Sequence, residues 1–304
     1  MSLFKWGWSD YWAGAAREGA GWEPARVIAV HRERYILAGE SGEFAAELSG
    51  RLEYTSGSAA ELPVVGDWVL AALGILHRVL PRRTLIARRA AGGVQERQPL
   101  AANIDVVFIV SGLDGDFNPR RLERYLVLAI ESGARPVFVL NKADLCAAPE
   151  EALRDVSAVA AGHPVVLTSA ERNEGVTAML EWLPPGATGA LVGSSGAGKS
   201  SLTNRLAGMS VQPVREVRES DSRGRHTTTH RQLFPLPGGG LLIDQPGLRE
   251  IQVWAARDSL DDAFPDVSGF ACQCRFRDCR HEKEPDCAVQ AAIEARALEA
   301  GRLK

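Results

Sequence analysis

The 304-residue chain has no apolar run approaching 18 residues, so its sequence offers no membrane-spanning helix. Its opening stretch, MSLFKWGWSDYW, mixes tryptophan with polar and charged side chains and lacks the apolar core of an export signal. A cytoplasmic protein is the expectation. A strong charge of either sign is also missing. The 35 Lys and Arg residues nearly balance 38 Asp and Glu, and a net charge of −3 excludes a general polyanion-binding surface. Contact with nucleic acid would need local patches such as Arg82/Arg83, Arg88/Arg89 and the stretch from Arg215 to Arg225. Cysteine is scarce and odd in number: five in all, four of them between 272 and 287. In a cytoplasmic chain such a cluster points to a metal site before it points to disulfides.

What is present is enough apolar residue, 45%, for the cores of two or three domains. Residues 1–21 read as an arm, either poorly ordered or ordered by docking its tryptophans. Across 22–90, strand-like runs at Arg26–Val30, Tyr35–Ala38, Phe44–Leu48, Asp67–Leu70 and Ile75–Val79 alternate with turn residues. Five short strands in so few residues predict a small closed barrel of the OB type. From 100 to 255 the texture becomes α/β. Ile104–Ser111 and Pro136–Leu140 are continuous apolar runs, as expected of strands covered on both faces of a parallel sheet. Helical periodicity over Arg121–Ser132, and further strands and helices in alternation, continue the pattern. Pro184-Pro185-Gly186 lies between two such halves. The last segment, 256–304, is acidic, then cysteine-rich, and ends in an amphipathic stretch from Cys287 to Ala300.

Strand 190–192 runs into Gly193-Ser194-Ser195-Gly196-Ala197-Gly198-Lys199-Ser200, which fits the phosphate-loop pattern G-x-x-x-x-G-K-S. Its glycines let backbone N–H groups curl around phosphates at the positive end of the following helix. Lys199 is expected to reach the β- and γ-phosphates and the Ser200 hydroxyl to bind Mg²⁺. Earlier in the chain stands Asn141-Lys142-Ala143-Asp144, the N-K-x-D pattern that reads guanine. A carboxylate at Asp144 can accept from guanine N1 and N2, whereas adenine would leave it unpaired. Asn141 would brace the loop, and the Lys142 stem would cover the base. Thr168-Ser169-Ala170 follows the next strand, where Ras-like GTPases use Ser-Ala against guanine O6. In an ordinary Ras-like chain the phosphate loop comes first. Here the order is reversed, which predicts a circularly permuted domain that binds GTP or GDP.

Asp244-Gln245-Pro246-Gly247 has the D-x-x-G form of a switch. Asp244 is expected to hold Mg²⁺ through water and the Gly247 N–H to touch the γ-phosphate. The next residue is Leu248, where Ras-like enzymes carry a water-orienting Gln, and leucine cannot orient water. The candidate for that duty is His226 in Gly224-Arg225-His226-Thr227-Thr228-Thr229, since an imidazole can exchange a proton with water near neutrality. One threonine of this run, with Thr228 the candidate, would complete the Mg²⁺ shell. Cys274, Cys279, His281 and Cys287 supply three thiolates and one imidazole, a closed tetrahedral set for one structural Zn²⁺. His31, His77, His163 and His230 fit no constellation, and Cys146 reads as a buried thiol.

Together these motifs, with Ser201 after the phosphate loop and Val65-Gly66-Asp67-Trp68-Val69 in the barrel region, resemble the ribosome small-subunit-dependent GTPase A family. The likeness runs from about Arg26 to Ala300. It implies an OB-fold, a permuted GTPase domain and a mostly helical zinc domain acting together on the 30S subunit and its 16S rRNA. It also implies slow GTP hydrolysis stimulated by 30S particles and a catalytic role for the histidine of G-R-H-T-T, here His226. Lys199, at the β- and γ-phosphates, is the second catalytic candidate from its motif, and a monomer is the simpler expectation for a protein that docks on a large particle. Gln245 departs from the small residue expected at that place. Tyr35, Phe44 and Trp68 are candidates for stacking on RNA, although each also suits a core. Leu248 keeps a second reading in view: an RNA-binding adapter whose nucleotide is structural.

Overall fold

The computed structural model describes residues 2–17, 19, 21–31, 34–89, 97–114, 117–208, 232–244, 248, 264–276, 279–282 and 284–298. The chain divides into two compact units, Met1–Trp254 and Ala255–Lys304.

In the first unit a 3-10 turn, Leu3–Trp6, and helix α1, Asp10–Ala16, form the amino-terminal arm. The arm is ordered by its tryptophans. Trp6 and Trp12 are buried, Trp12 Nε1 donates to Pro81 O at 2.8 Å, and the Trp8 and Trp12 rings pack on Trp68 with centroids 4.7 and 5.6 Å away.

The barrel follows, with strands β1 (Glu23–His31), β2 (Arg34–Gly39), β3 (Gly42–Leu48), β4 (Trp68–Ala72) and β5 (Ile75–Val79), and helix α2 (Gly50–Thr55) ahead of β4. The strands close in the order β1-β2-β3-β5-β4, so the predicted five-stranded barrel is the observed one. Val27, Leu37, Val69 and Leu76 fill its interior. Tyr35 and Trp68 are buried, and Phe44 packs against the barrel core, so Tyr35 and Trp68 serve packing and offer no ring to a base. Arg82 is likewise structural. Its guanidinium grips the fully buried Asp67 carboxylate at 2.8 and 2.9 Å and donates to the carbonyls of Ala60 and Leu62.

A hairpin, β6 (Leu85–Arg89) with β7 (Arg97–Ala102), leads out of the barrel. The α/β layer then runs β8 (Val106–Gly112), α3 (Pro119–Ser132), β9 (Arg135–Asn141), α4 (Pro149–Val159), β10 (Val165–Leu167), α5 (Val176–Leu180), β11 (Thr188–Gly193), α6 (Lys199–Ala207), β12 (Leu233–Pro235) and β13 (Leu241–Ile243). Among the described residues the sheet order is β10-β9-β8-β11-β13-β12, parallel except at the β12 edge. Every residue of β8 and β11 is buried, the signature of strands covered on both faces. Phe108, Val139, Met179, Leu202, Leu206 and Leu242 belong to the core that holds helices to sheet. Each such buried side chain contributes about 1.5–3 kcal/mol. Among the described residues no helix is long and apolar enough to cross a membrane.

Arg26 joins arm, barrel and α/β layer. It is 1% exposed and donates from Nε to Gly66 O, from Nη1 to Trp6 O, and from Nη2 to both Asn103 O and Thr188 Oγ1. Burial lowers its pKa to about 10, opposed by the fields of Asp105 and Asp67. A second link runs through a bulge in β1. The register slips between Val27 and Ala29, and the Ile28 carbonyl between them accepts from Gln232 N at 3.0 Å. Gln232 O in turn accepts from Asp244 N at 2.8 Å.

The second unit has two short helices, Pro265–Ala271 and Ala288–Glu294, with Cys287, Val289, Ala292 and Leu298 buried between them and the intervening loop.

Candidate functional site

Strand β11 carries the chain to the carboxyl end of the sheet, where Gly193 starts the turn that ends at Gly198 and opens α6. Gly198 adopts φ +89°, and a Cβ there would lie 2.2 Å from Asn141 Nδ2, so conformation and space both demand glycine. The Lys199 ammonium donates to Gly193 O at 2.8 Å and to Ser194 O. Ser195 and Gly196 are exposed at the mouth of the turn, with Ser200 and Ser201 half-buried behind it on the first turn of α6. A mouth of backbone N–H groups over a helix start, with a lysine pinned beneath, suits a polyphosphate.

The N-K-x-D segment leaves the neighbouring half of the sheet. Its Asn141 is 1% exposed and ties three loops together. Asn141 Nδ2 donates to Ala197 O in the phosphate loop at 3.0 Å, while Oδ1 accepts from Thr168 Oγ1 at 3.2 Å and Ala170 N at 3.0 Å. Lys142 takes φ +63° and reaches Asp114, and Ala143–Leu145 forms a 3-10 turn that presents Asp144. Ser169 Oγ donates to Asp144 Oδ1 and accepts from Arg172 N. That hydroxyl, ahead of the fields of Arg172 and Lys142, holds the Asp144 carboxyl below its ordinary pKa. From α6, Arg205 donates to the carbonyls of Ala170 and Glu171, which clamps the Ser169-Ala170 loop to the phosphate-loop helix. Asn141, Lys142, Asp144, Ser169, Ala170 and the phosphate loop therefore share one end of one sheet. An ionised carboxylate beside a polyphosphate cradle can read the N1 and N2 donors of a purine.

Asp244 stands at the end of β13, beside the strand that feeds the phosphate loop. With Ser200 it supplies hard oxygen donors, the chemistry that suits Mg²⁺. Leu248 is buried at 1% exposure. His226, Thr228, Gln245 and Gly247 lie outside the described residues, as do His230 and the 215–225 basic stretch.

In the second unit, Cys274, Cys279, His281 and Cys287 bring one ligand atom each within 4.8 Å of the others, a cluster that can hold a metal ion. Cys272 is exposed and donates to Gly269 O instead, and Cys146 is half-buried, short of the buried thiol expected. Thr168 as a brace for Asn141, Arg205 as a clamp and Asp114 as the partner of Lys142 had no sequence signal beyond a polar residue near a motif.

The family model described as RsgA GTPase matches residues 79–254, more than half of the chain. A small ribosomal subunit biogenesis GTPase RsgA from Opitutus terrae is 46% identical over 99% of this chain and 87% of its own length. One of the same name from Xylella fastidiosa is 50% identical over 92% of this chain and 85% of its own. The crystal structure of YjeQ from Thermotoga maritima superposes with a TM-score of 0.68 at 26% identity, covering 92% of this chain and 94% of that one. The permuted order of motifs, the barrel ahead of them and this likeness along nearly the whole chain have one conclusion: the chain belongs to the RsgA GTPase family and is a GTP hydrolase.

Proposed function

We propose that this GTPase acts in late maturation of the small ribosomal subunit, in the cytoplasm and as a monomer, contacting the 30S particle and its 16S rRNA and being stimulated by them. The observation that carries the reading is the 46% identity to a small ribosomal subunit biogenesis GTPase over 99% of this chain. The bonding of Asn141 to Ala170 and Ala197 supports a single nucleotide site in which the base-reading and phosphate-holding loops are tied together. GTP is held by Asn141, Lys142, Ala143, Asp144, Ser169 and Ala170 at the base, and by residues 193–201 and Gly247 at the phosphates. Lys199 draws charge from the β- and γ-phosphates as the bond to the leaving group breaks.

Ser200, Asp244 and Thr228 would hold Mg²⁺, which when bound neutralises charge on the β- and γ-phosphates. Because Leu248 is buried, water must be oriented from elsewhere, and His226 is assigned that role. The metal of the second unit is assigned as structural zinc. A tetrahedral ion with Zn–S of about 2.3 Å and Zn–N of about 2.0 Å sets sulfur–sulfur and sulfur–nitrogen separations near ~3.8 and ~3.5 Å. Cys274 and Cys287 sulfurs are 3.9 Å apart, and each lies 3.5 and 3.4 Å, respectively, from His281 Nδ1.

Phosphate release from GTP and ATP, with and without purified 30S subunits, tests the whole. The expected outcome is GTP turnover raised strongly by 30S and collapsing in His226→Ala. Tight GTP binding with no response to 30S would replace it with the adapter reading, in which the nucleotide is structural.

A further inference from the structure

Two of the three polar side chains of the N-K-x-D segment share the Thr168–Ala170 loop as a support, and the third does not. Asn141 is held by the Thr168–Ala170 loop and the phosphate loop, and Asp144 by Ser169. Lys142 has its support elsewhere, on the loop that leaves β8. Its Nζ meets Asp114 Oδ2 at 2.5 Å, with both side chains about one-third exposed, at 27% and 30%.

Two further features fix this pairing. The backbone N–H of Leu113 donates to Asn141 O at 2.7 Å, so the residue before Asp114 is tied to the residue before Lys142. The two side chains therefore leave from backbones already locked together. Gly112 then leaves the space that the carboxylate occupies. A Cβ at Gly112 would stand 3.0 Å from Asp114 Oδ1 and 3.4 Å from Asp114 Cγ, tighter than the ordinary contact. Any larger residue there would push the carboxylate outward.

We infer that Asp114 is a positioning residue for guanine nucleotides: by anchoring the Lys142 ammonium it fixes the direction of the lysine stem that covers the base. The inference rests on the nucleotide-site reading above. Lys142 sits in left-handed backbone conformation at φ +63°, and its stem carries four rotatable bonds. An unanchored stem would sample many rotamers and would have to be ordered by the incoming nucleotide, at a loss of affinity. With the ammonium held by Asp114, that ordering is already in place. The role concerns binding in ground and transition states alike, so it moves nucleotide affinity and residence time and leaves the chemical step alone.

The test uses the full chain and N-methylanthraniloyl-GDP and -GTP, followed by fluorescence on dilution into unlabelled nucleotide. In Asp114→Asn, dissociation of both nucleotides is expected to accelerate roughly two- to fivefold, the scale of one partly exposed charge pair. KM for GTP rises in parallel, and kcat at saturating GTP stays at the wild-type value. Asp114→Glu recovers part of the loss. In a Lys142→Ala background, Asp114→Asn has no further effect, and the thermal midpoints of wild type and Asp114→Asn agree. Unchanged dissociation in Asp114→Asn, or an effect that simply adds to that of Lys142→Ala, overturns the inference while leaving the nucleotide site standing. A wild-type chain that fails to retain either labelled nucleotide overturns the site reading, and this inference with it.

Discussion

Asn141 Nδ2 donates to the carbonyl of Ala197, 3.0 Å away and 56 positions later in the chain. This bond crosses the break in the motif order and joins what permutation separates in sequence. Asn141→Ala leaves the buried Ala170 N–H and Ala197 carbonyl without their partner, an expected loss of about 2–4 kcal/mol. Urea unfolding and GDP titration on the same preparation should both register it. Gly198→Ala attacks the same contact from the other side and should abolish nucleotide binding. Retention of wild-type GDP affinity by either variant would contradict the single-site account.

The hydroxyl of Ser169 keeps the Asp144 carboxyl depressed. An acid with a depressed pKa stays ionised to lower pH, so guanine binding should persist until pH falls through that lowered value. In Ser169→Ala the acid limb of GDP affinity moves to higher pH, toward the ordinary carboxylate range. A pH series of GDP titrations checks this, and coincident acid limbs for the two proteins would refute it.

Loss of any one ligand in the Cys3His cluster should empty it. Cys279→Ser is expected to bring metal content, measured by atomic emission, from one ion per chain to near zero. Structural zinc contributes on the order of 10 kcal/mol to folding of a small unit. Protease should then cut within 264–298 while residues 1–208 stay resistant. Full metal occupancy in the variant would mean that another residue completes the site.

Trp12 is 2% exposed, bonded to Pro81 and packed on Trp8 and Trp68. Its truncation to alanine should destabilise the first unit by about 3–5 kcal/mol. Trp12→Phe, which keeps ring packing and loses the hydrogen bond, should fall between. Denaturant midpoints near wild type for Trp12→Ala would show that the arm docks without holding the barrel.

Elements with strong periodicity or a motif at the end were legible from the residues alone. Helix α6 and the five barrel strands stand where the pattern put them, within a residue or three. The β6–β7 hairpin was not legible, because Arg88 and Arg89 at its end and Pro99 within it break the alternation of an ordinary strand pair. Strand β12 is three residues long and ends in Pro235, too little for a pattern. At the site, Asn141 and Asp144 were marked by their motif, but Asp114 lies among glycine and aspartate and reads as turn chemistry. Arg26 looked like one arginine among many. Only the folded chain puts four acceptors, from Gly66, Trp6, Asn103 and Thr188, around it.

Sheet order has a consequence for how the protein is made. Strand β11 lies between β8 and β13, yet β8, β9 and β10 all leave the ribosome before it. Until β11 emerges, β8 is the open edge of a growing sheet, seven residues that are all buried in the finished protein. Such an edge invites pairing with other chains, and the hazard lasts as long as synthesis of the intervening segment. The strand that closes it is the one that delivers the phosphate loop. Arrival of β11 therefore covers the β8 edge and brings the phosphate loop to the base-reading loops in the same event, and the outer edge of β11 is closed in turn when β13 follows.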